Sequence, residues 1–363
     1  YLDYIHRFKG IPDMTKTILD NMRKGIKYKD TLPRLIVLDL RDQYKHVLDI
    51  DLDNINVPIH VKKKVIQSIK TYILPSIKQL KNFLENEYLC KCTDKLGLSS
   101  ISGGISIYKG LLEEQTLQGY TPKDVHELGL REVKRILKLI NSMKRKMKFK
   151  GSLHNFYEYC SVNFKQKKDI ITYSTKLQKE IYKKIYPKYF HVDLQYKDLA
   201  KIKQIKENKS RMYAFYIGTK KRGTFYVNTN IYQELNKHEL LTLTLHESIP
   251  GHHLQLMRHN RDKELPLYIQ GSHNTSYCEG WGLYCENFTD LHSDKELVSK
   301  YMYEIHRAVR LVVDTGIHVF NWSYDQCLNY MKKYLHYSNE LIKNEIIRYI
   351  CIPTQALSYK VGE

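Results

Sequence analysis

Long apolar runs are missing from this chain. None of its 363 residues falls in an uncharged apolar stretch of about 18, the least that would carry a helix across a membrane. No signal peptide is read at its start. Acidic residues are scarce, 39 Asp and Glu against 59 Lys and Arg, so the formal charge is +20. Tryptophan occurs twice. The cysteines number seven, an odd count without regular spacing, and make no disulfide framework. Cys90-Lys91-Cys92 has the wrong spacing for a zinc ribbon. A reducing compartment and a cytoplasmic location are expected. The chain opens on Tyr1 rather than Met, and a truncated N-terminus is expected.

A composition of 42% hydrophobic and 27% charged residues belongs to a globular protein, long enough to bury a sizeable core. The acidic deficit has two readings. One is a nucleic-acid or membrane-surface partner. The other is a solvated face in a chain rich in Lys, Ile, Asn and Tyr. The basic residues are spread along the chain, apart from Lys144-Arg145-Lys146 and Lys220-Lys221-Arg222. The second reading is therefore preferred, with neither a membrane nor a nucleic acid expected as partner. Oligomeric state is not legible.

Residues 1–195 read as a helical scaffold and 196–363 as a second region, the two forming one continuous fold. Ile18, Leu19, Met22 and Ile26 recur at helical spacing, as do Val65, Ile66, Ile69 and Ile73. Thr121-Pro122-Lys123-Asp124 is a helix start, with Thr as cap, Pro in the first turn and Asp reaching back. That helix should run to about Met147 with Val125, Leu128, Val133, Ile136, Leu137 and Ile140 inward. Two more helices are expected over 153–164 and 170–185. Met212-Tyr213-Ala214-Phe215-Tyr216 and Thr224-Phe225-Tyr226-Val227-Asn228 predict a small antiparallel β element. Asn236 should cap the helix that follows.

That helix leads into His246-Glu247-Ser248-Ile249-Pro250-Gly251-His252-His253, three imidazoles and one carboxylate in eight residues. Imidazole nitrogen binds zinc, and a neighbouring carboxylate can take a proton from water. The usual helical spacing, His-Glu-x-x-His, is not met, because Pro250 stands four residues after His246. Pro250-Gly251 must bend, bulge or restart the helix. Downstream, Glu279 sits among Gly280, Trp281 and Gly282, in an apolar helix able to press closely on another. A carboxylate buried there needs a cation, and Glu279 is the candidate third ligand. His306, Arg310, Asp314 and His318 recur every four residues and share one helix face. They are read as a support or substrate-binding face, with His318 able to steady an oxyanion. Tyr359, in the tail, could do the same.

These motifs resemble the domain-of-unknown-function family numbered 885, a family of expected zinc peptidases. The resemblance runs through Thr121 to Leu130, Gly223 to Thr229, His246 to Gln255, Glu279 to Tyr284, Arg310 with Asp314 to His318, and Arg348 to Lys360. Thr354 departs from it, standing where Gly is expected. The resemblance implies a mainly α, multi-helix metallopeptidase of the gluzincin kind, with the small β element beside the active-site helix. Aligning Gly-His pairs with the His-Glu-x-Gly-His pattern of similar helical peptidases puts His252 in the second ligand position, and similarity to Glu-Gly-Phe aminopeptidases makes Glu279 the third. An unbroken helix would set His253 about 10 Å along the axis from His246, a long reach for one ion. His252 is therefore chosen and His253 is the alternative.

The expected function is zinc-dependent peptide hydrolysis, of carboxypeptidase or oligopeptidase type. Zn2+ is held by His246, His252 and Glu279. Glu247 is the base, Tyr359 or His318 steadies the oxyanion, and His253, Arg310, Asp314 and Arg348 support the site or bind substrate. The strand from Gly223 to Thr229 could add an extended peptide. The alternatives are a non-enzymatic basic helical binding protein and a metal hydrolase acting on a non-peptide amide or ester.

Overall fold

The computed structural model describes residues 1–116, 119–191, 194–206, 213–219, 222–271 and 274–363. Met212, Lys220 and Lys221, invoked above, lie outside them. The chain is mainly helical and forms two compact units. The first comprises Tyr1–Ile107 with Ile317–Tyr324, and the second Tyr108–Gly316 with Asp325–Glu363. The compositional shift at residue 196 falls inside the second unit.

The first unit packs the helices Ile11–Tyr28, Arg34–Leu48 and Leu74–Phe83 about Leu19, Val37, Leu80, Phe83, Leu84 and Tyr88. Met22 and Ile26 lean on that core, while Ile18, expected inward, is exposed.

The second unit holds the chemistry. Helix α1 (Pro122–Lys146) begins on a complete capping box, in which the Thr121 hydroxyl accepts from the Asp124 N–H and the Asp124 carboxylate accepts from the Thr121 N–H. Its Val125, Val133, Ile136 and Ile140 are buried as expected. Helix α2 (Lys167–Lys184) follows, and then three short strands, β1 (Lys201–Gln204), β2 (Ala214–Ile217) and β3 (Thr224–Val227). The sheet is mixed. β2 pairs antiparallel with β3 as expected, Phe215 opposite Tyr226, but β1 lies parallel on the other side of β3. This corrects the purely antiparallel expectation. It also removes β3 as a place for strand addition, because both its edges are already paired.

Helix α3 (Glu239–Glu247) packs Leu240, Leu241, Leu243 and Leu245 against Phe225, Val227 and Ile181. It starts two residues later than Asn236 predicts. Asn236 instead accepts the N–H groups of Val162 and His238. Every residue from Leu240 to Glu247 is buried, so the two ionisable groups at its end sit in an apolar setting. Helix α3 stops at Ser248, and α4 (His252–Arg261) restarts after a cis Ile249–Pro250 bond. The Gly251 N–H reaches back to the Leu245 carbonyl at 3.0 Å and the His253 N–H to the Ser248 carbonyl at 3.1 Å. A Cβ on Gly251 would lie 1.8 Å from the His246 carbonyl oxygen, so only glycine fits this turn.

Helix α5 (Thr275–Cys285) crosses this break, and the Trp281 indole N–H donates to the Pro250 carbonyl at 2.9 Å. Its glycines permit the approach. A Cβ on Gly282 would stand 2.7 Å from His246 Nε2, and one on Gly280 would meet the Gly362 backbone at 2.2 Å. Helix α6 (Asp294–His318) and helix α7 (Asn339–Cys351) lead to the short terminal helix α8 (Ser358–Gly362). A buried ionic network pins α8: Lys360 donates to Glu304 at 2.9 Å and to Glu363, and Glu304 also accepts from Lys300 and Arg135. Tyr359 is thereby fixed over α5.

Thr354 has φ +69°, in the left-handed region where a β-branched residue is a rare occupant. That explains why Gly is the expected residue there. The Thr354 N–H donates to the Asp314 carboxylate at 3.2 Å, and this bond holds the turn.

Candidate metal centre

Three helices bring three side chains to one point. His246 ends α3, His252 begins α4, and Glu279 lies mid-way along α5. One ligand atom from each falls within 4.8 Å of the other two. Glu279 Oε2 is 3.3 Å from His246 Nε2 and 3.4 Å from His252 Nε2. The two imidazoles meet edge to face at 4.7 Å. The break at Pro250-Gly251 is what allows this. It ends one helix and starts another in a new direction, so residues six apart converge without a shared helical face.

His253 does not join them. Its Nδ1 faces the Tyr216 hydroxyl of β2 at 2.9 Å and its Nε2 faces the Asp198 carbonyl at 2.6 Å. Both ring nitrogens are therefore committed to holding α4 on the sheet. Behind the loop, the Gln178 amide donates to the Ser248 hydroxyl at 2.7 Å.

Glu286, which the motif search missed, supports His246. The His246 Nδ1–H donates to Glu286 Oε1 at 2.8 Å, and Arg307 approaches the same oxygen at 3.6 Å. Glu286 stands seven residues after Glu279, so i,i+7 spacing on one helix face was the available signal. Burial alone would pull the His246 pKa down, but Glu279 and Glu286 overcome it and hold the ring up at about 10. Glu279 is correspondingly held well below the usual carboxylate range: its hydrogen bonds to the two imidazoles outweigh burial. The pocket is thus built for positive charge. Replacing Glu286 with Gln is expected to weaken zinc binding about 10- to 100-fold, the usual loss when the group orienting a ligand is removed. Competition with a chromophoric chelator reads it, and unchanged affinity would show that Glu286 does not orient the ring.

Glu247 is buried beside the cluster. Burial raises its pKa, opposed by His252 and His246. The Tyr359 ring lies nearly parallel to the His246 ring, 6.4 Å away, with the guanidinium of Arg310 over its face at 4.6 Å.

The predicted ladder on α6 does not act as one unit. His306 and Arg310 both turn to Glu345 on α7, at 3.2 and 3.3 Å. Asp314 accepts from the Tyr108 hydroxyl at 2.6 Å and from Thr354, not from Arg310 or His318. His318 falls in the first unit, where its Nδ1 accepts the Leu98 N–H at 3.2 Å. The oxyanion role anticipated for it gains no support from that bond, and Tyr359 is the better placed candidate. Arg348 donates to Glu345 at 3.0 Å and to Gln355 at 2.6 Å.

Buried neutral histidines make the chain acid-sensitive. Burial pushes His306 down to about 3 and His292 to about 4. His126, His238, His253 and His336 are shifted the same way. The unfolded chain takes up protons near pH 6.5 that the folded chain refuses, so stability falls as pH drops below about 6.5. His246, held up at about 10 by its two carboxylates, Glu239, raised by burial to about 7, and Glu247, also raised, oppose this but are outnumbered by the six lowered rings. The urea midpoint of the metal-free protein should be lower at about pH 5 than at about pH 6.5. An equal or higher midpoint at the lower pH would contradict the assignment of these rings as neutral.

Fold and site define a class: a mainly helical protein with a small mixed sheet and a partly buried His–His–Glu cluster at a helix break. The chain belongs to the family described as "Bacterial protein of unknown function (DUF885)", whose model matches residues 1–363. Among solved structures it is similar to a "putative lipoprotein from Colwellia psychrerythraea", at 22% identity and a TM-score of 0.88, over 99% of this chain and 68% of that one. It is also similar to a "putative lipoprotein of unknown function from Shewanella oneidensis", at 15% identity and a TM-score of 0.67, over 96% of this chain and 70% of that one. At these identities the likeness speaks for the fold. No curated protein matches the chain.

Proposed function

We propose that the chain is a zinc-dependent peptidase of the gluzincin kind. The observation that carries the reading is the convergence of His246, His252 and Glu279 within 4.8 Å, with Glu247 next along the chain from the first of them. Two imidazoles and a carboxylate are a donor set that zinc takes in hydrolytic sites, and the second nitrogen of His246 is already engaged by a carboxylate. His246, His252 and Glu279 would hold the ion. Zinc bound there supplies a Lewis acid that polarises the scissile carbonyl and makes water a nucleophile at neutral pH.

The remaining work falls to the chain's own side chains. Glu247 accepts the proton of the attacking water and hands it to the amine as the C–N bond breaks. Burial raises its pKa above the usual carboxylate value, which favours its taking a proton. Tyr359, whose ring lies 6.4 Å from that of His246, donates its hydroxyl to the developing oxyanion. His253, tied to Tyr216 and Asp198, keeps the turn that aims His252.

The test uses the full chain, stripped with a chelator and reloaded with zinc, against a mixture of unrelated peptides read by mass spectrometry. Cleavage that stops on stripping and returns with zinc is the expected result. Cleavage indifferent to the chelator would overturn the reading. Stoichiometric zinc with no peptide cut would favour a hydrolase for a non-peptide amide or ester.

A further inference from the structure

Beside Tyr359, on the side turned to α6 and α7, positive charge exceeds negative. Arg310 and Arg348 share a single carboxylate, Glu345, at 3.3 and 3.0 Å. His306 adds no charge to balance: burial and the Arg310 guanidinium push its pKa down to about 3, with the Tyr337 hydroxyl 3.2 Å from Nδ1 and Glu345 3.2 Å from Nε2. Among the described residues Arg307 has one ion pair, with Glu286 at 3.6 Å, and donates to the Tyr303 carbonyl at 3.2 Å. Three guanidinium nitrogens here, Arg310 Nε and Nη1 and Arg307 Nε, are buried and have no acceptor among the described residues. Arg310 and Arg307 are only 8% and 7% exposed, so bulk water is a poor substitute. Buried charged donors are seldom left this way, and several in one place call for an anion that completes them.

We infer that this cationic group seats the C-terminal carboxylate of a peptide substrate, so that the site releases residues from the C-terminus. The inference rests on the peptidase reading above. Position supports it. The Tyr359 ring neighbours both groups, with the Arg310 guanidinium 4.6 Å and the His246 ring 6.4 Å from its centroid. In a peptide whose last bond is being cut, the terminal carboxylate stands a single residue, about 3.5 Å of extended chain, beyond the scissile carbonyl. A guanidinium fork matches a carboxylate better than any single point charge does. Glu345 engages Arg310 through Nη2, while Nε and Nη1 have no acceptor among the described residues.

The test compares, on the zinc-loaded full chain, an N-acylated tripeptide ending in a free phenylalanine carboxylate with the same peptide as its C-terminal amide. A third peptide, amidated but ending in glutamate, offers the carboxylate on a side chain instead. The free acid should be cut with kcat/KM about 100-fold above the amide, the scale of a lost charge-assisted hydrogen-bond pair. In Arg310→Met that ratio should collapse toward unity, and Arg310→Lys, which keeps charge without the fork, should restore part of it. The comparison on the unaltered protein stands even if a variant fails to fold. Equal rates for acid and amide overturn the inference and leave the peptidase reading intact. A preference that follows the glutamate side chain overturns the terminal assignment. Zinc-loaded protein that cuts none of the three overturns the peptidase reading and the inference with it.

Discussion

Glu247→Gln should reduce kcat for peptide hydrolysis about a thousand-fold while zinc content stays that of the unaltered chain. General acid–base groups contribute about 100- to 10,000-fold, and this residue is asked to act in both directions. Glutamine keeps the volume and one hydrogen-bonding oxygen, so α3 and its buried last turn should persist. The change removes a carboxylate that burial destabilises, which also argues against a loss of fold. Two readouts are needed together, metal content and single-turnover cleavage. Retained zinc with unimpaired cleavage would remove Glu247 from the mechanism. Lost zinc would mean that Glu247 helps bind the ion.

The second large effect separates two adjacent histidines. His252→Ala should lower zinc affinity by more than about 100-fold, beyond what loss of an orienting group costs, and abolish cleavage. His253→Ala should keep the zinc. Its cost is structural. The Tyr216 hydroxyl and the Asp198 carbonyl each lose a partner in a half-buried place, about 1 kcal/mol apiece, and the thermal midpoint should drop. Metal titrations of the two variants, side by side with thermal melts, read both. The opposite pattern, zinc kept in His252→Ala and lost in His253→Ala, would reverse the ligand assignment.

How much of this could be read from residues alone follows physical lines. The cluster was legible because its chemistry is dense: three imidazoles and a carboxylate around a Pro-Gly break, and a lone Glu among glycines. The Thr121–Asp124 capping box was legible because it is local. So was the need for the helix to break, though that it restarts at His252 depends on how closely Gly251 folds back on the His246 carbonyl. β1 was missed because Lys201-Ile202-Lys203-Gln204 is an edge strand with only Ile202 turned inward, which leaves almost no alternation to detect. The ladder on α6 was read as one face, correctly in geometry, but its partners come from elsewhere in the chain. Asp314 meets Tyr108 and Thr354, His306 and Arg310 meet Glu345, and His318 meets Leu98. Helical spacing says which side chains share a side. It does not say what will be packed there. Glu286 was missed for the opposite reason: its spacing from Glu279 was visible, but nothing local marks it as buried against His246.

The most direct measurement is a crystal structure of the zinc-loaded chain, with anomalous scattering collected at the zinc edge. The account predicts one strong peak bonded to His246, His252 and Glu279, with His246 still donating to Glu286 and His253 still held by Tyr216 and Asp198. A peak bonded to His253, a sulfur ligand from any cysteine, or no peak at this cluster would contradict it.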